Sequence, residues 1–437
     1  MSFEPTDVVE VRAWDRLVGA VAQNPDNGAY TFAYDPAWIR GGVELAPLMM
    51  PLRAEPYAFP DLSKRTFYGL PAMLADALPD AFGNALVNAW MSEHGVSAEA
   101  ITPLDRLAYA ADRALGALEF RPPARELEDE PSSAVALADL VQAARLTVRG
   151  EFASDEAANT ALQQLIQVGT SAGGARAKAV VSFHPTTYQV RSAYAPHEDG
   201  FEQWLIKLDG VSSTGLDGHG DGLGESAPYG RIEYAYFLMA TAAGITMSEC
   251  RLLAEGPRRH FMTKRFDRTS AGGKLHLQSL CALSHLDFNL MATHSYDQYF
   301  DAITALGLGP EAMQEAYRRM VFNVAGVNHD DHTKNHGFLA TPTGDWSLAP
   351  AFDVTHAYRP DSEWTSRHLM SVNGSFDGIT LDDLHEVAER RGVPAYRRVT
   401  SDVLAAMDNW MTFAADAEVQ EDVTIQIAED LNRFRPR

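Results

Sequence analysis

Apolar positions in the first third of the chain follow both strand and helix spacing. Residues 8–14 (VVEVRAW) and 28–35 (GAYTFAYD) alternate apolar or aromatic residues with small or polar ones, which predicts half-buried strands. Residues 70–91 carry the three- and four-residue apolar spacing of a helix, interrupted at Pro79. A second helix is predicted over residues 103–118. This part of the chain is therefore expected to mix strands and helices.

A change of composition marks the end of this part. Residues 121–134 (RPPARELEDEPSSA) are rich in proline and charge and poor in large apolar side chains, which is typical of a linker. Helical spacing resumes from Val135 and again over residues 157–168. We therefore expect a domain boundary within residues 121–134.

The rest of the chain contains two short strand patterns and then a mostly helical pattern. Residues 178–183 (KAVVSF) and 203–208 (QWLIKL) are apolar runs with β-branched and aromatic side chains, which favours strands. Beyond about residue 280 the spacing is mostly helical, most clearly over residues 313–327 and 401–417.

Length and charge limit the class of protein. The chain has 437 residues, too many for one compact core, so two or three packed units are expected. Its net charge of −23 disfavours direct binding of nucleic acid backbones. Cys250 and Cys281 are its two cysteines, which fits a reducing compartment. No signal-peptide pattern and no apolar run long enough to span a bilayer is found, so we expect a cytoplasmic protein.

The most chemically dense stretch is VNHDDHTKNHGF, residues 327–338. His329, His332 and His336 have spacings that would share a helix face, and with neighbouring aspartates they would suit a metal-dependent phosphohydrolase. The asparagines, aspartates and glycine of this stretch favour a loop, however, so the shared face is not expected. A polar loop that caps neighbouring helices is the commonest role for any one of these residues.

A second interpretation of the same stretch is phosphoryl transfer. Asp330 and Asn335 have the Asp-x-x-x-x-Asn spacing of a protein-kinase catalytic loop, in which Asp receives the substrate hydroxyl proton and Asn binds Mg²⁺. Asp353, in LAPAFDVTH, follows as a further oxygen ligand of the kind Mg²⁺ prefers. His332 and Lys334 would brace or neutralise the loop.

Upstream segments supply matching candidates in kinase order. Lys207 lies in an apolar strand from which it could reach ATP phosphates, and Glu233 begins a helical segment where it could pair with that lysine. Gly173 and Gly174 belong to TSAGGARAK, a loop whose backbone N–H groups could approach phosphates. Phe266, in the segment FMTKRFDR that would join two lobes, could face an adenine. Each residue alone is more often structural, and it is their order that favours a kinase.

The sequence resembles the HipA family of serine/threonine kinase toxins from bacterial toxin–antitoxin pairs. The matching segments are HDDHTKNHGF with APAFD, TSAGGARAK, WLIKL, IEYAYF and MTKRFDR, and in the N-terminal third FAYDPAW, LPDAFGNAL and GALEF. The resemblance implies an α+β, two-lobed protein-kinase-like fold with an added N-terminal α/β domain. The domains implied are a HipA-like N-terminal domain (residues 1–122), a small ATP-binding lobe (residues 135–262) and a helical C-terminal catalytic lobe (residues 263–437).

The resemblance also implies roles for individual residues. Asp330 would be the catalytic aspartate, and Asn335 and Asp353 would hold Mg²⁺. Ser171 would be autophosphorylated, which ejects its loop and switches the kinase off. The residues expected to contact ATP are Lys207, Ser171, Gly173, Gly174, Phe266 and Lys334.

Partners are implied in the same way. The family pairs with a helix-turn-helix antitoxin of HipB type, which binds operator DNA, so contact with DNA would be indirect, in agreement with the acidic charge. The protein substrate expected is an aminoacyl-tRNA synthetase. A catalytically idle member acting as co-repressor remains an alternative. Residues 214–230, unusually rich in glycine and aspartate, depart from the family pattern and have no assigned role.

Overall fold

The computed structural model describes residues 6–79, 81–93, 95–122, 144, 177–193, 198–209 and 228–437. It divides into two compact units. Unit 1 takes its residues from 1–218, 262–278 and 340–345, and unit 2 from 219–261, 279–339 and 346–437. The helices predicted from Val135 and over residues 157–168, and most of the glycine-rich segment 214–230, lie outside the described residues.

Unit 1 begins with an antiparallel sheet. Its strands are β1 (Val8–Ala13), β2 (Arg16–Gln23), β3 (Tyr30–Tyr34), β4 (Tyr57–Ala58) and β5 (Leu118–Arg121). The strand order is β4-β3-β2-β1-β5. Val9, Val11 and Ala13 are fully buried and their neighbours are not, so the alternation predicted for β1 is confirmed.

Five helices accompany this sheet. They are α1 (Pro36–Gly41), α2 (Lys64–Phe67), α3 (Ala72–Ala75), α4 (Ala81–Glu93) and α5 (Pro103–Ala110). The predicted interruption at Pro79 is confirmed, because α3 and α4 lie on either side of it. α5 begins with a capping box, in which Thr102 and Asp105 each bond the other's backbone N–H.

The helix predicted over residues 103–118 is too long. α5 ends before Ala111, which adopts a φ of 48°, and Leu118 already belongs to β5. The apolar spacing runs on through a turn at Gly116, whose φ is +80°. A Cβ on Gly116 would lie 2.7 Å from the backbone nitrogen of Leu277, so a glycine is required here.

A second sheet starts in unit 1. Its strands are β6 (Lys178–Phe183), β7 (Val190–Ser192) and β8 (Glu202–Lys207), followed by β9 (Cys250–Glu255) and β10 (Arg258–Lys264). The strand order in unit 1 is β7-β6-β8-β10. β10 begins in unit 2, where β9 pairs with it. All six residues of β6 are buried. The two strands predicted at residues 178–183 and 203–208 are confirmed.

A buried ion pair ties two distant segments of unit 1. Asp267 Oδ2 accepts hydrogen bonds from the backbone N–H of Gly116 at 2.7 Å and from Arg268 Nη1 at 2.8 Å. Arg265 donates two more, at 2.9 and 2.6 Å. Burial alone would raise the pKa of Asp267, but the two guanidinium groups outweigh burial and hold the pKa well below its usual range.

Unit 2 is mostly helical. Its helices are α6 (Tyr229–Ala242), α7 (Leu280–Leu283), α8 (Tyr296–Ala305), α9 (Pro310–Ala325), α10 (Leu381–Arg391), α11 (Tyr396–Met407), α12 (Trp410–Asp416) and α13 (Glu421–Arg433). The remaining strands in the described part of the chain are β11 (His276–Ser279), β12 (His294–Ser295), β13 (Gly337–Ala340), β14 (Trp346–Leu348) and β15 (Met370–Ser371). β12 and β15 pair in parallel.

The segment predicted as one helix over residues 401–417 is two helices. α11 ends at Met407 and α12 begins at Trp410. Asn409 Nδ2 donates to the carbonyl of Ala405 at 2.9 Å, which satisfies a carbonyl that a continued helix would have bonded through its backbone. The helices in the described part of the chain all lack the length and apolar character needed to span a lipid bilayer. The predicted domain bounds remain a prediction.

Removal of one partner from the buried ion pair tests its weight. Asp267→Asn leaves two guanidinium groups facing a neutral side chain, so we expect the free energy of unfolding to fall by about 3–5 kcal/mol. Urea unfolding measures the loss. Glu198→Gln, which breaks the exposed pair with Arg191 in the same unit, is the control and should change the free energy by less than about 1 kcal/mol. Equal losses in the two variants would contradict the assigned role of Asp267.

Candidate functional site

The loop that follows α9 carries the histidines and aspartates. α9 ends at Ala325, Val327 adopts a φ of 54°, and only Thr333–Asn335 form a single 3₁₀ turn before β13. The backbone N–H of His329 donates to Ala357 O at 3.1 Å, which fixes the start of the loop. The loop predicted here is confirmed, and its three histidines share no helix face.

Asp331 is the buried acceptor at the centre of this loop. Only 1% of its surface is exposed. Its Oδ2 accepts from Tyr296 Oη at 2.8 Å and from His368 Nδ1 at 2.9 Å, and its Oδ1 accepts from the backbone N–H of Leu369 at 2.7 Å. Burial alone would raise the pKa of Asp331, but His368 and these hydrogen bonds hold it below its usual value. Asp331 therefore fastens the loop to the segment around residue 369.

A chain of hydrogen bonds runs from Asp331 back to the start of the loop. Tyr296 Oη, which donates to Asp331, accepts from Asn323 Nδ2 at 2.9 Å. Asn323 Oδ1 in turn accepts from Asn328 Nδ2 at 3.0 Å. An ionised carboxylate can only accept, so it fixes the direction of every bond in this chain.

Asp330 is oriented by a tryptophan. Its carboxylate is partly exposed, at 38%, and Trp364 Nε1 donates to its Oδ1 at 2.7 Å. His332 Nε2 lies 3.6 Å from the same oxygen. Burial lowers the pKa of His332 to about 4, so the imidazole is neutral at pH 7 and forms no ion pair there.

Aromatic rings surround this carboxylate. The ring of Phe288 lies 5.1 Å from that of His332 and meets that of Trp364 edge-on at 6.4 Å. Lys334 Nζ lies 5.5 Å from the centre of the Phe288 ring, within cation–π range. Lys334 thus contacts the aromatic ring of Phe288 beside the loop. Its contact with ATP stays a prediction.

Asn335 and Asp353 line one cavity of about 20 Å³. Asn335 Nδ2 donates to the backbone carbonyl of Asp330 at 2.8 Å, which turns its Oδ1 away from that carbonyl. Asp353 adopts a φ of 52°, a left-handed conformation that a non-glycine residue rarely holds and that is enriched at functional sites. Carboxylate and amide oxygens together are a donor set suited to a hard cation such as Mg²⁺.

The three histidines are engaged separately. His329 Nδ1 donates to Thr365 O at 3.0 Å, and His336 Nε2 donates to Asp331 O at 3.3 Å. Among the residues that the structure describes, no group of three or more His, Cys, Asp or Glu side chains is placed to hold a metal ion. The described geometry therefore gives no support to the phosphohydrolase interpretation.

The upstream candidates lie in different units. Lys207, half-buried, ends β8 in unit 1 and is opposite Lys178 in the strand register, and the half-buried Phe266 follows β10 in the same unit. Glu233 is buried on α6 in unit 2, and its pairing with Lys207 stays a prediction. The predicted phosphate loop, with Ser171, Gly173 and Gly174, lies outside the described residues.

Sequence reasoning missed several residues that hold the loop. No local motif links the loop to Trp364, Tyr296 or His368, and the spacing of these residues in the sequence does not predict their contacts with the loop. The sequence did indicate a separate role for Asp331, because adjacent aspartates in a loop point their side chains in different directions and each carboxylate needs its own hydrogen-bond donors.

The buried His329 makes stability depend on pH. Burial first, and then the neighbouring His368, lower its pKa from 6.5 to about 3. The unfolded state therefore binds one more proton between pH 6.5 and 3, and this contribution to stability is lost as pH falls through that window.

We expect His329→Phe to remove that proton uptake. The free energy of unfolding should then change with pH less steeply, by up to about 1.4 kcal/mol per pH unit, between pH 6 and 4. Urea unfolding at a series of pH values measures this slope, with pH 7.5 as the reference at which the imidazole is neutral in both states. Parallel curves for the variant and the wild type would contradict the prediction.

Comparisons with known proteins place the chain. Residues 9–121 match the model of the HipA N-terminal domain, and residues 170–431 match that of the HipA-like C-terminal domain. No curated protein sequence matches the chain. Among solved structures, HipA from the complex of Shewanella oneidensis HipA, HipB and operator DNA has a TM-score of 0.65 and 16% identity, over 98% of this chain and 95% of that one.

A more distant likeness is to the Helicobacter pylori proinflammatory kinase CtkA, with a TM-score of 0.33 and 14% identity over 53% of this chain and 92% of that one. The predicted α+β, kinase-like fold with an added N-terminal domain is confirmed by the match to HipA. Because the family models together cover most of the sequence, the chain belongs to the HipA family.

Proposed function

We propose that the protein is an ATP- and Mg²⁺-dependent serine/threonine protein kinase of HipA type. The observation that carries the proposal is the arrangement around Asp330. Its carboxylate is partly exposed and held by Trp364, and its backbone carbonyl anchors Asn335, which lines a cavity with Asp353. Phosphoryl transfer needs an acidic side chain that accepts the proton of the substrate hydroxyl and, beside it, oxygen ligands for the cation.

The donor set fits Mg²⁺. Asn335 and Asp353 offer an amide and a carboxylate oxygen, which hard cations prefer. His336 also lines the cavity, but its Nε2 is used in the hydrogen bond to Asp331 O. Bound with ATP, Mg²⁺ would neutralise charge that develops on the phosphates during transfer. Lys207 and the loop of Ser171, Gly173 and Gly174 would hold the phosphates, and Phe266 would contact the adenine.

Asp330 would position the substrate. Its carboxylate would accept the hydrogen bond of a serine or threonine hydroxyl and take the proton as the bond from the hydroxyl oxygen to the γ-phosphorus forms and the bond from that phosphorus to ADP breaks. Trp364 contributes by fixing the orientation of the carboxylate before substrate arrives, so less ordering is left to the reaction itself. His332, neutral at pH 7, would brace the same oxygen without drawing charge from it.

Partner and target follow from the family. The Shewanella relative was solved with HipB and operator DNA, which supports an antitoxin of HipB type as the partner here. The charge of −23 suits a chain that contacts DNA only through that partner. The substrate class, an aminoacyl-tRNA synthetase or another translation protein whose phosphorylation arrests growth, rests on the family resemblance.

The catalytic assignment is tested by kinase assays on two variants. Asp330→Asn should retain the contact with Trp364 but lose the base, so transfer should slow by about 10²–10⁴. Trp364→Phe should keep the ring and lose one hydrogen bond to a charged group, which corresponds to a decrease of about 10- to 100-fold in kcat with little change in the KM for ATP.

The control for both is Asp422→Asn, in the first turn of α13, which should leave the rate unchanged. Labelling of protein substrate from radioactive ATP at the wild-type rate by Asp330→Asn would remove Asp330 from the mechanism. A raised KM for ATP with unchanged kcat in Trp364→Phe would contradict its role in orienting the acid.

Ser171 is proposed as the off-switch. A phosphate adds about −1.5 to −2 charges at pH 7. Beside nucleotide phosphates that charge would be repelled, whereas outside the pocket Arg176 is the nearest cation in sequence, since Lys178 is buried in β6. We expect incubation with ATP and Mg²⁺ to give a phosphopeptide at Ser171 and a loss of ATP affinity, measured by mass spectrometry and by calorimetry.

The controls separate the switch from the chemistry. Ser171→Ala should keep its ATP affinity through the same incubation, and Thr170→Ala should inactivate itself as the wild type does. A kinase that labels its substrate while Ser171 stays unmodified would overturn the switch and leave the catalytic assignment intact.

A further inference from the structure

Asn328 has one polar atom that the described protein groups leave without a hydrogen bond. The residue is 3% exposed, its backbone N–H donates to Asn323 O at 2.9 Å, and its Nδ2 donates to Asn323 Oδ1 at 3.0 Å. Its Oδ1 is buried and accepts from no group in the described part of the chain. A buried amide oxygen without a partner is costly, which marks a place where a ligand or cation supplies the interaction.

The orientation of this amide is imposed from a distance. Asp331 can only accept, so Tyr296 must donate to it, Asn323 must donate to Tyr296, and Asn328 must donate to Asn323. If the amide of Asn328 were rotated by 180°, its oxygen would face the oxygen of Asn323. The relay therefore leaves Oδ1 as the outward-facing atom.

The residue that carries this atom lines the cavity of the proposed cation ligands. Asn328 lines the same cavity as Asn335 and Asp353. Arg319 also lines it, but its Nε is paired with Glu315 at 2.8 Å and its Nη2 donates to Ala349 O at 2.9 Å. The cavity that the two proposed Mg²⁺ ligands line is thus lined by a further amide, and the neighbouring guanidinium group of Arg319 is already paired.

We propose that Asn328 supplies a third protein oxygen to the cation site formed by Asn335 and Asp353, oriented by the relay that ends at Asp331. This inference rests on the proposed function, because it presumes that Asn335 and Asp353 receive a divalent cation. At about 20 Å³ the cavity admits one water-sized group, so Asn328 contacts the cation itself or a water in its hydration shell. A contact of this kind is worth about 10- to 100-fold in metal affinity.

Mn²⁺ binding measures this contact without reliance on turnover. The protein is mixed with Mn²⁺ and a non-hydrolysable ATP analogue, and the concentration of free Mn²⁺ is measured by electron paramagnetic resonance. Asn328→Leu removes the oxygen at similar volume, and we expect its Kd for Mn²⁺ to rise about 10- to 100-fold. Affinity for the analogue without metal should stay within about twofold of the wild type, since Asn328 is proposed to contact only the cation.

A matched variant separates the oxygen from the relay. Asn328→Asp sets a carboxylate oxygen against Asn323 Oδ1 and so loses the orienting hydrogen bond, but it keeps an oxygen and adds charge, so it should bind Mn²⁺ more tightly than Asn328→Leu. Thr365→Val removes another buried oxygen, one that has no hydrogen bond among the described residues and does not line the cavity, and it should leave the Kd for Mn²⁺ unchanged. If Asn328→Leu lowers the thermal unfolding temperature, Asn328→Ala takes its place, because it removes the same oxygen without bulk.

The outcomes separate the two levels of the proposal. Wild-type affinity in Asn328→Leu, or an Asn328→Asp as weak as Asn328→Leu, would overturn the role of Asn328 while leaving the kinase assignment in place. A wild type that binds no Mn²⁺ with the analogue would overturn the cation site, and the proposed function with it.

Discussion

The loop after α9 depends on one buried negative charge. Asp331 accepts hydrogen bonds from four protein donors on its two oxygens, two from side chains and two from backbone N–H groups. A carboxylate in this position is stable only while all its partners are in place, since an ionised group that loses its partners in the interior is strongly unfavourable. The positions of Tyr296, His368 and the backbone at Leu369 are therefore fixed together, and the loop can take few other conformations.

The same charge determines which atoms are left for chemistry. Because hydrogen bonds run toward Asp331, the amide of Asn328 is turned with its nitrogen inward. Asn335 is oriented by a separate contact, with its nitrogen on the carbonyl of Asp330. In both asparagines the amide nitrogen donates within the protein, and the amide oxygen is the atom that the proposed cation site would use.

The sequence predicted those features that depend on local spacing. Four strands, β1, β3, β6 and β8, follow from alternation and buried runs, and the loop at residues 327–336 follows from its asparagines, aspartates and glycine. Errors occurred where tertiary contacts override the pattern. The apolar spacing continues to residue 118, but the helix does not, because Gly116 lies in a turn close to the backbone of Leu277.

Contacts across long sequence separations could not be predicted. Trp364 reaches Asp330 across 34 residues and Tyr296 reaches Asp331 across 35, and neither carries a motif. The kinase-loop spacing of Asp330 and Asn335, with Asp353 downstream, allowed these three residues to be proposed from sequence, and their roles stay predictions. The residues that orient them are constrained only by shape, which different sequences satisfy in different ways.

Adjacent aspartates also join the loop to the segment that follows Asp353. Asp330 is held by Trp364, and Asp331 is held by His368 and the backbone of Leu369, so two neighbouring carboxylates contact two nearby parts of one segment. Asp330 cannot be oriented unless that segment is in place. If the segment moved away, Asp331 would stay buried as a carboxylate without its hydrogen-bond donors, which is strongly unfavourable. The two aspartates thus make the geometry of the proposed base conditional on the packing of residues 364–369, because the stability of one carboxylate and the orientation of the other depend on the same contacts.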